Sequence, residues 1–287
     1  MQEVAVAITN YLDSLKDVNE LTKLNYFNAL RNFFNWFRIT NNESFEAGNV
    51  TIMDLREYLQ YLTNNRTMAI STICSQIEII RQWVFKETNY TLPPLKMPKQ
   101  QRLAPKSLSR TDQNALVREV EKGRKLRDIA LVRTLITTGV RVSELVRIKV
   151  NTVNIGEKSG KIEIHKGKGG KDRIVPVPHN TRQVLSRYVQ QFNLGSDDFL
   201  FPSKKREGWH ISERAVRYIL TEYACRAHLE HVFPHALRHT TATNLLRQGV
   251  DIVAVAAIMG HESIKTTQRY TVPSEADILR VGELGDV

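Results

Sequence analysis

Two cysteines, Cys74 and Cys225, are too few for a disulfide framework. Both fall in apolar, helix-like stretches and read as small buried residues in a reducing compartment. No run approaches the roughly 18 apolar residues that a membrane helix needs. The first ten residues also lack the charged start and long apolar core of a signal peptide. A soluble, cytoplasmic chain without a membrane partner is therefore expected. Internal repeats and low-complexity tracts are missing too. Negative charge is the scarce sign, with 30 Asp and Glu against 41 Lys and Arg, a net charge of +11. That excess points to a polyanionic partner, nucleic acid before an acidic membrane surface, but basicity alone is weak evidence.

What is present divides into two regions. The first 91 residues read as helices, with apolar residues at helical spacing over 4–15, 24–37, 52–62 and 70–85. Thr51 marks one helix start, and Thr67 or Ser71 another. The aromatics Tyr26, Phe27, Phe33, Phe34, Trp36 and Phe37 read as core between packed helices in preference to a stacking surface for DNA. Residues 92–106 hold Pro93, Pro94, Pro98 and Pro105 among Lys96, Lys99, Arg102 and Lys106. That proline density forbids a regular helix. The segment reads as a basic linker, either a solvated tether or a strap along a DNA backbone.

Residues 107–287 form the second region. Helical patterns cover 109–120, 124–137, 181–191, 212–227, 235–248 and 252–258. Between them, 161–165 and 173–177 alternate with period two around a Gly-Lys tip at 167–170, which predicts a hairpin. The expected fold is mainly α: an all-helical N-terminal domain, then an α+β domain with a small antiparallel sheet.

The residues with chemical promise lie in this second region. Pro234 suits a first helical position, so His235, Arg238 and His239 follow a helix start, a favourable place for an anion. His235 and Arg238 share a face, with His239 one step round. Arg141 follows Thr138 and Gly139, where glycine ends one helix and Ser143 is placed to cap the next. An arginine fork gives two parallel hydrogen bonds to a phosphate, so Arg141 and Arg238 are suited to clamp one phosphodiester. Tyr270 carries a phenol of ordinary pKa near 10 that needs a base or a cationic setting to attack. His235 is the expected base, His261 a further donor to the phosphate, and Lys168 at the hairpin tip the expected acid for the leaving oxygen. No metal and no cofactor enter this scheme. Each residue taken singly has an ordinary reading: Arg141 as an ion-pair partner, Lys168 and Lys171 as solvated charges, Tyr270 as a half-buried aromatic, Glu144 as a partner for an arginine. His228, His231, His235 and His239 are spaced like zinc ligands, but Pro234 interrupts the stripe and no cysteine pair completes it.

The combination resembles the tyrosine recombinase (phage integrase) family. Thr138 to Leu145 resembles its first arginine box, and Gly167 to Val177 its β-hairpin lysine segment. His235-Ala236-Leu237-Arg238-His239 matches the His-x-x-Arg box, Met259-Gly260-His261 resembles the Leu-Gly-His box, and Thr266 to Tyr270 the nucleophile box. Met259 replaces the usual leucine, and Gly170 stands where asparagine is frequent. The resemblance implies catalytic roles for Arg141, Lys168, His235, Arg238, His261 and the nucleophile Tyr270, with Glu144 and His239 in support. Lys168 is preferred to Lys166 or Lys171 because it follows the glycine of the pattern. DNA contacts are expected from Lys96, Lys99, Arg102, Lys106, Lys171 and Arg173.

Further implications are a core-binding domain at 1–91, a linker at 92–106 and a catalytic domain at 107–287. The implied partner is duplex DNA with short inverted-repeat core sites, bound by a homotetramer, or a heterotetramer of two subunit types. The implied reaction passes through a 3′-phosphotyrosyl link and a Holliday junction, in integration, excision or resolution of a mobile element or replicon. An arm-binding domain is not expected. The tail, with a short helix at 276–281, is expected either to dock on a neighbouring protomer or to pack on its own domain. A type IB topoisomerase, a regulator with a decayed site and a zinc-dependent nuclease are the competing readings.

Overall fold

The computed structural model describes residues 2–16, 18–41, 46–65, 68–98, 107–165, 172–261 and 263–270, without the side chains of 2–5, 7, 65, 265 and 269. The chain divides into two compact units, Met1–Arg102 and Leu103–Val287.

The first unit is built from α1 (Gln2–Ser14), α2 (Glu20–Asn41), α3 (Ile52–Asn65) and α4 (Ile70–Thr88). Thr51 starts α3 as expected: its hydroxyl accepts from the Asp54 N–H at 3.3 Å, and the Asp54 carboxylate accepts from the Thr51 N–H at 2.8 Å. The start of α4 differs. Extended Ala69 precedes it without a side-chain cap, Ser71 lies inside the helix, and Thr67 is outside the described residues. Leu30, Phe33 and Phe37 of α2 repeat at helical spacing and bury against Ile73, Ile77 and Ile80 of α4 and Leu55 of α3. Phe33 meets Tyr58 edge-on at 5.0 Å, and Phe34 meets Trp83 at 5.3 Å. These rings are core, as their spacing suggested.

Residues 92–98 form no helix or strand, consistent with their prolines, yet they are not a free tether. Leu92 is buried in the first unit's core, and Arg81 donates to the carbonyls of Leu92 and Pro93 at 2.7 and 3.0 Å. Lys96 is exposed. Lys99, Arg102 and Lys106 lie outside the described residues.

The second unit opens with α5 (Arg110–Lys122), capped reciprocally by Ser109 and Asp112, then α6 (Leu126–Thr138) and the one-turn α7 (Val142–Leu145). Next come β1 (Val153–Ile155), β2 (Gly160–Ile164) and β3 (Arg173–Pro176), an antiparallel sheet in the order β1-β2-β3. The sequence suggested only the β2–β3 hairpin, whose register pairs Ile162 with Val175 and Ile164 with Arg173. Three-residue β1 is too short to show alternation. Helices α8 (His179–Gln191), α9 (Glu213–Arg226), α10 (Pro234–Arg247), α11 (Ile252–Met259) and α12 (Ile264–Thr267) follow, and a 3-10 turn at Gln268–Tyr270 ends the described part. Leu131, Leu135, Ile162, Val175, Leu220 and Leu237 share one buried core. The architecture is mainly α with one small antiparallel sheet, as expected.

Cys74 is half-buried and Cys225 is exposed. The expectation of two buried cysteines therefore fails for Cys225, which sits near the polar C-terminal end of α9. No described helix is long and apolar enough to cross a membrane.

Candidate active site

Two helix ends bring distant chain segments together. Gly139 ends α6 and Gly260 ends α11, both left-handed with φ of 62° and 63°. A side chain at either would be strained in this conformation. It would also crowd its neighbours: a Cβ on Gly139 would sit 2.7 Å from the flexible Met259 Cε and 3.2 Å from Thr241 Cβ, and one on Gly260 3.0 Å from the Arg173 guanidinium. The chain thus turns sharply after each helix, and Arg141 and His261 emerge beside each other.

Arg141 caps α7 in place of the expected Ser143. Its backbone N–H donates to Glu144 Oε2 at 2.8 Å, and its Nη1 to Glu144 Oε1 at 2.8 Å. Its Nη2 donates to the Gly260 carbonyl at 2.9 Å, a contact spanning 119 residues. Arg238 on α10 is buried and donates to the carbonyls of Gly139, at 2.7 Å, and Met259. Each arginine thus has two of its five N–H groups committed to these contacts, which leaves donors for a ligand.

Glu144 is shared. Arg173 meets it with both terminal nitrogens, at 2.9 and 2.7 Å, and its Nε donates to the Ile258 carbonyl at 2.8 Å. Burial pushes the Glu144 carboxyl up, but the hydrogen bonds from Arg173 and Arg141 outweigh it and hold the group down at about 2. Burial, with Arg141 nearby, lowers the Arg238 guanidinium to about 10. Three guanidinium groups face one carboxylate here, leaving two positive charges in excess.

His235 lies on the first turn of α10, after Phe233 as N-cap and Pro234 as the first helical residue. Its side chain is exposed at the rim of the site, and partial burial with Arg238, Arg217 and Arg141 holds its pKa below the ordinary value. His261 is lowered to about 4 by burial and then by Arg238 and Arg141, so it is neutral at pH 7. Its Nδ1 lies 2.8 Å from the hydroxyl of buried Thr267. With that hydroxyl donating, Nε2 keeps the proton and remains a donor.

Tyr270 packs on the small apolar cluster of Ala242, Val255 and Met259. Its ring lies nearly parallel to that of His261, at 6.1 Å and 22°. Its hydroxyl is 2.7 Å from His239 Nδ1. The phenol's observed imidazole partner is therefore His239, although the sequence suggested His235. Position on α10 explains it: His239 is one full turn beyond His235, on the side where the 268–270 turn returns.

Arg141, Glu144, His235, Arg238, His239, His261 and Tyr270 are thus brought to one site. Arg173, expected as a DNA contact, joins them: its side chain is 9% exposed and bonded to Glu144 and the Ile258 carbonyl. The alternation of 173–177 placed Arg173 on a strand, but nothing local named its partner. Lys168 and Lys171 lie outside the described residues, as does the expected helix at 276–281. Among the described residues no cluster of three His, Cys, Asp or Glu side chains is arranged for a metal, and His228 and His231 lie in the turn before α10.

Residues 106–276 match the model of the phage integrase family, which is more than half of the chain. The chain belongs to that family. Tyrosine recombinase XerC of Staphylococcus epidermidis (strain ATCC 35984) is 31% identical over 278 residues, covering 93% of this chain and 91% of that protein. XerC of Staphylococcus aureus (strain USA300 / TCH1516) is 32% identical over 292 residues, covering 98% and 95%. Among solved structures, XerA recombinase is 26% identical with a TM-score of 0.57, covering 100% of this chain and 99% of that one. XerH recombinase bound to a palindromic difH substrate, in a post-cleavage complex, has the same fold: TM-score 0.77 at 18% identity, covering 99% and 85%. The chain is a tyrosine recombinase of the Xer type, an enzyme of site-specific DNA recombination.

Proposed function

We propose that this recombinase cuts and rejoins duplex DNA at short inverted-repeat core sites through a 3′-phosphotyrosyl link formed by Tyr270. The observation that carries the reading is the excess of two positive charges from Arg141, Arg173 and Arg238 over Glu144, beside a phenol held by two imidazoles. Tyr270 Oη attacks the scissile phosphorus, and Arg141, Arg238 and His261 meet the charge that develops on the non-bridging oxygens. His235, exposed at the rim, is a further donor to the same phosphate. Lys168 protonates the leaving 5′-oxygen. Attack by the freed 5′-hydroxyl of a partner strand reverses the step on the other duplex, so bond energy is kept and no nucleotide cofactor is consumed. Two such exchanges pass through a Holliday junction within a tetramer, of one subunit type or two.

Residues 1–91 act as a core-binding domain and 107–287 as the catalytic domain. Lys96, Lys99, Arg102, Lys106 and Lys171 contact the DNA backbone. The outcome is integration, excision or resolution of a mobile element or replicon.

The test selects a duplex bound by the full chain from a random-sequence library, then nicks it beside the candidate phosphate. Wild-type protein becomes covalently attached to the 3′ end in EDTA, and Tyr270→Phe does not. An adduct persisting in Tyr270→Phe removes the assignment of the nucleophile. Relaxation of supercoiled plasmid without partner exchange would favour the topoisomerase reading.

A further inference from the structure

The phenol has an observed partner whose role the reaction scheme leaves undefined. Tyr270 Oη and His239 Nδ1 are 2.7 Å apart, with ring centroids at 5.3 Å, a distance and approach suited to proton transfer. His235, the imidazole that sequence reasoning puts in this role, sits one turn earlier on α10 at the exposed rim. Among the described residues, the other side chains of the site are poorly suited to accept the phenolic proton. Arg141, Arg173 and Arg238 are donors only. The Glu144 carboxylate is occupied by Arg173 and Arg141. His261 uses Nδ1 on Thr267 and presents its ring face to Tyr270.

We infer that His239 takes the phenolic proton of Tyr270 during strand cleavage and returns it on rejoining. The inference rests on the reading of Tyr270 as nucleophile. In the step, the Oη–H bond breaks and the proton moves to Nδ1, the Oη–P bond forms, and the P–O5′ bond breaks with its electron pair leaving on the 5′-oxygen. That oxygen is protonated separately, from the side opposite the attack. The two histidines of α10 then divide the work by position: His235 toward the phosphate, His239 toward the nucleophile. A positioning role follows for the short segment after α12. The 268–270 turn delivers the phenol to α10, and the fit on Ala242, Val255 and Met259 sets the distance.

The experiment measures single-turnover cleavage by the full chain on the nicked duplex, with either an ordinary phosphodiester or a 5′-bridging phosphorothiolate at the scissile position. The sulfur leaving group departs without a proton, so this substrate isolates activation of the nucleophile. His239→Gln keeps a polar side chain of similar reach that does not accept a proton at neutral pH. It is expected to slow cleavage roughly 10²–10³-fold on both substrates, in keeping with loss of a general base. Added imidazole is expected to restore part of the rate in His239→Ala. Cleavage by His239→Gln within threefold of wild type would show that the hydrogen bond only parks the phenol, and would overturn the inference. Recovery on the phosphorothiolate alone would place His239 on the leaving-group side and overturn it equally. Equal DNA affinity of His239→Gln and wild type separates these outcomes from misfolding. Failure of the underlying reading looks different: wild type itself then forms no adduct, or Tyr270→Phe forms one.

Discussion

Replacing Glu144 by glutamine tests the charge architecture directly. The change keeps size and shape but removes the negative charge between Arg141 and Arg173, in a side chain only 8% exposed. Lowering a carboxyl from about 4.5 to about 2 corresponds to about 3 kcal/mol in favour of the folded, ionised state. Removing one partner of a buried ion pair typically costs about 3–5 kcal/mol, which agrees. The sign is that of a depressed carboxylate: the contribution is complete above pH about 4.5 and is lost as the pH falls toward 2. Amide hydrogen exchange of the peptides around 141–147 and 172–176, followed by mass spectrometry on the full chain, reads it locally. At pH 7, Glu144→Gln should exchange roughly a hundredfold faster there, the ratio that 3 kcal/mol implies. Denaturant titrations of both proteins should converge as the pH is lowered from 5 toward 2. Unchanged protection at pH 7, or a stability gap that persists at pH 2, would refute the account of Glu144 as the shared anchor.

Two further outcomes follow from the same geometry. Gly260→Ala forces a left-handed alanine and presses its Cβ against Arg173, so the second unit should lose about 1–2 kcal/mol and a few degrees of Tm by calorimetry, with slower cleavage; an unchanged Tm contradicts this. His261 should stay neutral well below the ordinary histidine range, its ring resonances in NMR titrating near pH 4. Because its folded value is depressed, folding loses support as the pH falls from about 6.5 to about 4; a ring titrating near 6.5 would show that burial and Arg238 do not act on it.

Much of this was legible in the chain because it is local. Helices with sustained apolar spacing, such as α2, α4 and α9, announce themselves over several turns, and Pro234 marks the start of α10. Gly139 and Gly260 mark helix ends because only glycine adopts those angles freely. The site's composition was legible for the same reason, as short boxes of unusual residue types. What escaped was long-range. Nothing near Arg173 says that it faces Glu144, 29 residues away. Nothing near His239 says that a phenol 31 residues on will reach it before His235. Arg141 took the cap that Ser143 seemed made for, because Glu144 gathers the Arg141 amide and guanidinium together. The packing of Leu92 into the first unit was equally hidden, since prolines rule out a helix without saying whether the chain is held.

Arg173 carries a consequence for anyone exchanging hairpin tips between recombinases. It is the first residue of β3, paired across the ladder with Ile164, and it enters the site from the sheet side. An exchange that keeps Lys168 and the number of residues between β2 and β3 preserves the spacing of that pairing. A one-residue slip of β3 against β2 would turn Arg173 to the opposite face of the sheet, because side chains alternate. Glu144 would then lose one of its two guanidinium partners, although no residue of the site had been mutated. The connection between β2 and β3 is thus constrained in length by Arg173 and, on the proposed mechanism, in sequence by Lys168.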